Sequence, residues 1–266
     1  MPPIVYLVRH AEGEHNVNDS HHIRDALLTD KGKEQCFQLR DRFPYHDDIS
    51  LVLASPLRRT IQTAPYAFAS VLKNSNVAFV LVPQAQEISA LACDVGQERS
   101  VLEEELPNLI TNELLDFDSV KKGIYVPRLQ AVKERAAALR SWLWQRPESH
   151  IVLLTHGAFL HYLTEDWHII RPEERYISDK SLLYYHLLTT MTGTAYQNCE
   201  FRRFAFSEAS HGQEAHLFEV GGTGVKQGRP LGIETTVLKE IVAVESQPCQ
   251  RISLISRERA SDTHHG

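Results

Sequence analysis

Three stretches of the chain place basic or imidazole side chains directly after apolar runs. Arg9 and His10 follow residues 4–8 (Ile-Val-Tyr-Leu-Val) and lead into Ala11-Glu12-Gly13. Ser55-Pro56-Leu57-Arg58-Arg59-Thr60 follows Leu51-Val52-Leu53-Ala54, and Thr155-His156-Gly157 follows residues 151–154. If these three ends lie side by side, two histidines and at least two arginines converge on one spot. Charged groups are rarely buried without a partner, so such a cluster calls for an anion. The guanidinium fork suits a tetrahedral oxyanion, phosphate above all. Taken singly, each stretch has a plainer reading, such as a satisfied polar histidine or a capped helix start. The argument rests on their joint appearance, in order.

The elements that must position these residues follow from the hydrophobic pattern. Residues 4–8 and 51–54 read as strands buried on both faces, residues 77–82 as a third strand and 151–154 as a fourth. Residues 184–188 and 200–206 are the final strand candidates. Leu28-Thr29-Asp30 offers an N-cap to a helix over residues 31–42, stopped by Pro44. Residues 56–72 read as helical, with Pro65 as a kink or break. Residues 128–146, rich in Ala, Leu, Arg, Glu and Lys and followed by Pro147, form the clearest helix, and another follows Gly157. This alternation implies an α/β fold: a three-layer sandwich with a mainly parallel central sheet and helices on both faces. Ligands of such sheets bind outside the carboxyl ends of the strands, where Arg9, His10, Arg59 and His156 fall.

Composition sets the outer limits. The chain has 266 residues, a formal charge of -6, 42% hydrophobic and 23% charged residues, which suits a soluble globular protein with a sizeable core. The mild acidity argues against a nucleic-acid or anionic-membrane partner. The four cysteines, Cys36, Cys93, Cys199 and Cys249, form no CxxC pair, so neither a zinc ribbon nor a redox motif is written here. No apolar run approaches a membrane span, and the first residues lack a signal-peptide core. A cytoplasmic or nuclear location is therefore expected. Residues 1–206 read as a catalytic domain interrupted by an acidic insertion at about 88–127, which either overhangs the site or is a solvated helical face. Residues 207–266 read as a polar C-terminal extension, part edge structure and part disorder. Nothing in the pattern speaks to oligomeric state.

The motifs together resemble the histidine phosphatase superfamily, in the branch that contains phosphoglycerate mutase. Arg9-His10-Ala11-Glu12 with Asn16 is similar to its RHG signature. Leu28-Thr29-Asp30-Lys31-Gly32-Lys33-Glu34-Gln35 resembles its Leu-Thr-x-x-Gly-x-x-Gln helix start, and residues 55–64 resemble Ser-Pro-x-x-Arg-Ala-x-x-Thr-Ala, which selects Arg59 over Arg58. Thr155-His156-Gly157 resembles the second-histidine motif. The likeness spans roughly residues 3–206. Ala11 departs from the usual glycine, tightening the turn but removing no functional group. The chain also lacks the Glu-Arg-x-Tyr-Gly segment of the glycolytic mutases, which favours a phosphatase over a mutase.

The resemblance implies a two-step phosphoryl transfer. His10 would be the nucleophile, and Arg9, Arg59 and His156 would hold the phosphoryl oxygens, with Asn16 as an uncharged donor. Glu87, after the third strand, would be the general acid, its pKa raised by burial; Asp94 or an acid of residues 103–118 could substitute. A small phosphorylated metabolite is the expected substrate, with no metal or other cofactor. Three alternatives stay open. The histidines His10, His15, His21 and His22 could bind zinc in a metal hydrolase, though none sits at a HExxH spacing and the last three read as loop residues at the pocket rim. The fold could serve as a phosphate-binding scaffold without turnover, or as a phosphomutase.

Overall fold

The computed structural model describes residues 1–105, 127–165, 168–169, 191–192, 196–221 and 235–245. Its centre is a six-stranded sheet in the order β3-β2-β4-β1-β7-β8. Strands β1 (Ile4–Arg9), β2 (Leu51–Ala54), β3 (Ala78–Leu81) and β4 (His150–Thr155) run parallel. A short ribbon of β5 (His168–Ile169) and β6 (Met191–Thr192) stands apart from this sheet. Strands β7 (Phe201–Phe206) and β8 (Leu217–Glu219) extend it antiparallel beyond β1. The expected three-layer α/β architecture is the one observed. The strand expected at residues 184–188 lies outside the described residues.

Helices cover both faces. On one side lie α1 (Asp30–Arg42) and α2 (Arg58–Ala67), with α3 (Ala69–Leu72) behind the latter. They pack on Tyr6, Val8, Val52, Ala54, Val152 and Leu154. The other side receives α5 (Leu129–Trp144) and α6 (Gly157–Thr164) over Val5, Leu7, Leu53, Val80, Ile151 and Leu153. Successive strand side chains thus feed alternate cores, which is why these strands read as unbroken apolar runs. Thr29 caps α1, its Oγ1 accepting from Gly32 N at 2.9 Å. The helix expected over residues 56–72 begins two residues later and is broken at Phe68 rather than at Pro65, which sits inside the last turn of α2.

Two regions outside the regular alternation are described in part. The start of the acidic insertion forms a 3₁₀ turn at Ala92–Asp94 and helix α4 (Arg99–Glu105); residues 106–126 lie outside the described residues. In the C-terminal extension, β8 joins the sheet edge and α7 (Thr235–Glu245) packs against α6. Ile241, Val242 and Val244 of α7 join the core beneath α5 and α6. Residues 222–234 and 246–266 lie outside the described residues.

The α1 motif has a packing reason. A Cβ built on Gly32 would stand 2.1 Å from the Glu12 carbonyl oxygen, so only glycine lets the helix start pass under the loop after His10. Gln35 Oε1 then accepts from Glu12 N at 2.8 Å, and Thr63 Oγ1 of α2 accepts from Ala11 N at 3.1 Å. Gly32→Ala should therefore cost about 1–3 kcal/mol of stability, the range for overpacking, and lower activity by displacing Glu12. Urea denaturation and initial rates on the same preparation would check both parts.

Candidate active site

The sheet register brings the motif ends together. Arg9 pairs with Thr155 and Ala54 with Leu154. The pairing continues past the strands, His10 N donating to Thr155 O and Ser55 N to Leu154 O, both at 3.0 Å. His10 and His156 emerge beside each other, with ring centroids 5.1 Å apart. His10, Arg59 and His156 are almost wholly buried. Behind His10, Cys199 adopts φ +58°, Cys199 N donates to Arg9 O at 3.1 Å and Asn198 Nδ2 donates to His10 O at 3.0 Å.

The tautomer of His10 is set by its neighbour. Its Nδ1 lies 2.7 Å from the Ala11 carbonyl oxygen, an acceptor, so Nδ1 carries the proton and Nε2 is the free lone pair. Burial pushes the ring's pKa well below 6.5, helped by Arg59, His15 and Arg9, against the opposing hydrogen bond to Ala11. His156 is pushed down in the same way, by burial first and then by Arg59. Both rings are therefore neutral.

Arg59 is fixed from two sides. Nη1 donates to Cys93 O at 2.6 Å and Nη2 to Asp94 Oδ1 at 2.8 Å. Arg9 Nη1 donates to Tyr196 O at 2.6 Å. Three buried nitrogens around the histidines have no protein partner: Arg59 Nε, His15 Nδ1 and His156 Nδ1. His156 uses its Nε2 on the Ser55 hydroxyl at 2.8 Å. Buried polar atoms of this kind normally find a partner, and Arg59 Nε, a fixed donor, suits an oxyanion.

Glu87 lies at the N-terminus of α6. Its Oε2 accepts from Ala158 N at 3.2 Å, and its Oε1 accepts from Phe159 N at 2.9 Å and Ile88 N at 3.1 Å. Arg135 of α5 holds the segment in place through the carbonyls of Gln84, Gln86 and Glu87. Burial, then the charge of Asp94, pushes the Glu87 pKa up to about 7, against the pull of Arg59 and the helix amides.

The remaining sequence candidates and their neighbours fall differently. Asn16 is half-buried and its Oδ1 accepts from Gly13 N at 3.0 Å, closing the loop after His10. Glu12 is tied to Lys31 at 2.6 Å and to Thr29 at 2.9 Å. Asp94, weighed as a substitute acid, is the ion-pair partner of Arg59. His15 is no rim residue: it is buried with its ring 5.5 Å from that of His10, and burial pushes its pKa down to about 2. A Cβ on Gly13 would lie 2.8 Å from His15 Nδ1, so the glycine makes room for it. Glu240, from α7, enters the same electrostatic neighbourhood. Among the described residues, no group of three or more His, Cys, Asp or Glu side chains could hold a metal ion, and no helix is long and apolar enough to cross a membrane.

A mainly parallel sheet brings Arg-His and Thr-His-Gly to one buried cluster of arginines and histidines at its carboxyl edge, a site of the kind that handles phosphoryl groups. The chain belongs to branch 1 of the histidine phosphatase superfamily, whose family model matches residues 5–184. A probable phosphatase of Schizosaccharomyces pombe is 27% identical over 180 residues, covering 64% of this chain and 80% of the relative. Phosphoglycerate mutase-like protein 1 of Arabidopsis thaliana is 31% identical over 193 residues, covering 59% and 68%. Among solved structures, a mycobacterial glucosyl-3-phosphoglycerate phosphatase is similar over 82% of this chain and 96% of its own, at 13% identity and a TM-score of 0.46.

Proposed function

We propose that the protein is a metal-independent phosphomonoester hydrolase that works through a phosphohistidine at His10 on a small phosphorylated metabolite. The observation that carries this reading is the contact of His10 Nδ1 with the Ala11 carbonyl, which commits the ring proton to Nδ1 and leaves Nε2 as the lone pair in a site where Arg59 Nε is an unpartnered donor. An imidazole so fixed attacks phosphorus in line as the P–O bond to the leaving group breaks. Arg59 and Arg9 counter charge on the phosphoryl oxygens, and neutral His156 and Asn16 Nδ2 add uncharged hydrogen bonds. Glu87 protonates the leaving oxygen and then takes a proton from the water that cleaves the N–P bond.

Brief incubation with a phosphate-labelled aryl ester, without added metal, should trap labelled protein whose label survives base and is lost in acid, as a phosphoramidate requires. Turnover without any such species would end the reading. The general acid makes a second demand. A group that acts while protonated loses function as pH rises through its pKa. With Glu87 at about 7, kcat/KM for an alkyl phosphate should fall above neutrality, and Glu87→Gln should remove that limb.

A further inference from the structure

Helix α2 carries Arg59 in its first turn, yet Leu57, at its N-cap, brings no side-chain cap. The cap comes from another segment. Asp25 is wholly buried, and its Oδ1 accepts from Arg58 N at 2.9 Å. This satisfies one orphan N–H of the helix start and sets a carboxylate at its positive end. The other oxygen, Oδ2, accepts from Gln97 N at 3.1 Å, and Asp25 N donates to Ala92 O at 3.4 Å. Residues 92–97 are thus gripped at both ends by Asp25. Arg24 Nη2 adds a bond to Gly96 O at 3.0 Å, and Cys93 N donates to His21 O at 3.2 Å. Between Ala92 and Gln97 lie both acceptors of Arg59, the Cys93 carbonyl and the Asp94 carboxylate.

We propose that Asp25 is a positioning residue for Arg59: one buried carboxylate caps the helix that carries the guanidinium and holds the turn that carries its two acceptors, so that Arg59 Nε, the donor left for a phosphoryl oxygen, keeps its aim. This deepens the phosphohydrolase reading and rests on it. Arg59 commits Nη1 and Nη2 to the turn, so the direction of its Nε depends on where that turn sits relative to α2. Asp25 is hydrogen-bonded to both. An isolated buried carboxylate is unfavourable; this one is held by backbone N–H groups of two separate segments, with Arg58 Nε 4.0 Å away. Filling the space would require no charge. The backbone of Asp25 has φ +45°, a left-handed conformation that Asp and Asn adopt more readily than other residues with a side chain. Such a conformation persists where the surroundings over-determine it, as the three bonds to Asp25 do.

The test uses the full chain. Asp25→Asn keeps the shape and suits the left-handed backbone, but its amide can accept only one of the two backbone N–H bonds and turns Nδ2 toward the other. With p-nitrophenyl phosphate, kcat/KM should fall roughly 10–100-fold, as for a misplaced catalytic group, with the larger part in kcat. In an Arg59→Met/Asp94→Leu background the same substitution should cost no more than about twofold, because a residue that acts through another loses its effect once the other is gone. No loss in the wild-type background, or equal losses in both, would overturn the proposal and leave Asp25 a structural cap. Arg58→Pro cuts the same link from the other side. Proline suits the first helical position, and Leu57 already has the extended backbone that precedes a proline, at φ −81° and ψ 137°. The ring removes the N–H that Asp25 accepts, whereas Arg58→Ala removes the side chain alone. Arg58→Pro should therefore be about tenfold or more below Arg58→Ala in kcat/KM; equal activity of the two refutes the clamp even if Asp25→Asn does not fold. The nitrogen-15 resonance of Arg59 Nε–H, identified by its loss in the Arg59→Met/Asp94→Leu variant, supplies a readout independent of turnover. It should shift in Asp25→Asn and Arg58→Pro and stay in place in Arg58→Ala; an unmoved resonance in the first two overturns the proposal. If wild type hydrolyses no phosphate ester, the phosphohydrolase reading fails, while this resonance still decides whether Asp25 sets Arg59.

Discussion

His10→Asn should abolish phosphomonoester turnover, with a loss of roughly 10⁴-fold or more, while the protein stays folded. The magnitude follows from the loss of the attacking group. Without it, only direct attack of water within the remaining pocket is left, and removal of a nucleophile from a cooperating set costs nearly as much as removal of the set. The fold should survive because asparagine keeps a short donor able to reach the Ala11 carbonyl, which His10 Nδ1 contacts at 2.7 Å. The backbone of residue 10 is also held independently, through Thr155 and Asn198. Initial rates with an aryl phosphate and a thermal melt on the same sample check both halves. Retention of more than a few per cent of wild-type turnover would remove His10 from the mechanism.

That prediction was legible in the sequence because strand tips obey geometry. A buried strand that ends in a reactive residue has few places to put it, and β1, β2 and β4 are neighbours. The motifs around them also have local jobs that their residue types disclose: Thr29 caps a helix, and Gly32 admits a carbonyl. The rest depended on side-chain direction in loops, which periodicity does not encode. Nothing in the 35-residue separation of Arg59 and Asp94 announces their ion pair. His15 looks like one more loop histidine until the small volume of Gly13 turns it inward. Glu240 was obscured differently. Val237, Leu238, Ile241, Val242 and Val244 do carry a helical apolar spacing, but the Gly-containing sequence before them favoured reading the whole segment as a tail.

Arg59 is the residue whose loss should damage stability and catalysis together, and the two can be separated. The side chain is 1% exposed and pairs with an equally buried Asp94. Arg59→Met leaves that carboxylate uncompensated, close to Glu87 and Glu240. Breaking a buried pair from one side costs about 3–5 kcal/mol, whereas replacing both partners by apolar groups is often near neutral. Arg59→Met should therefore unfold at markedly lower denaturant, and the double variant Arg59→Met/Asp94→Leu should recover most of that loss. Activity should not follow. Removing a guanidinium that stabilises transferring phosphoryl charge costs roughly 10³-fold or more, and the double variant still lacks it. The pH dependence adds a sign. Arg59 helps hold His10 and His156 neutral; without it their pKa values rise, His10 takes up a proton more readily, and residual turnover should weaken toward acid pH more steeply than in wild type. A double variant that regained both stability and turnover would show Arg59 to be a partner for Asp94 and nothing more.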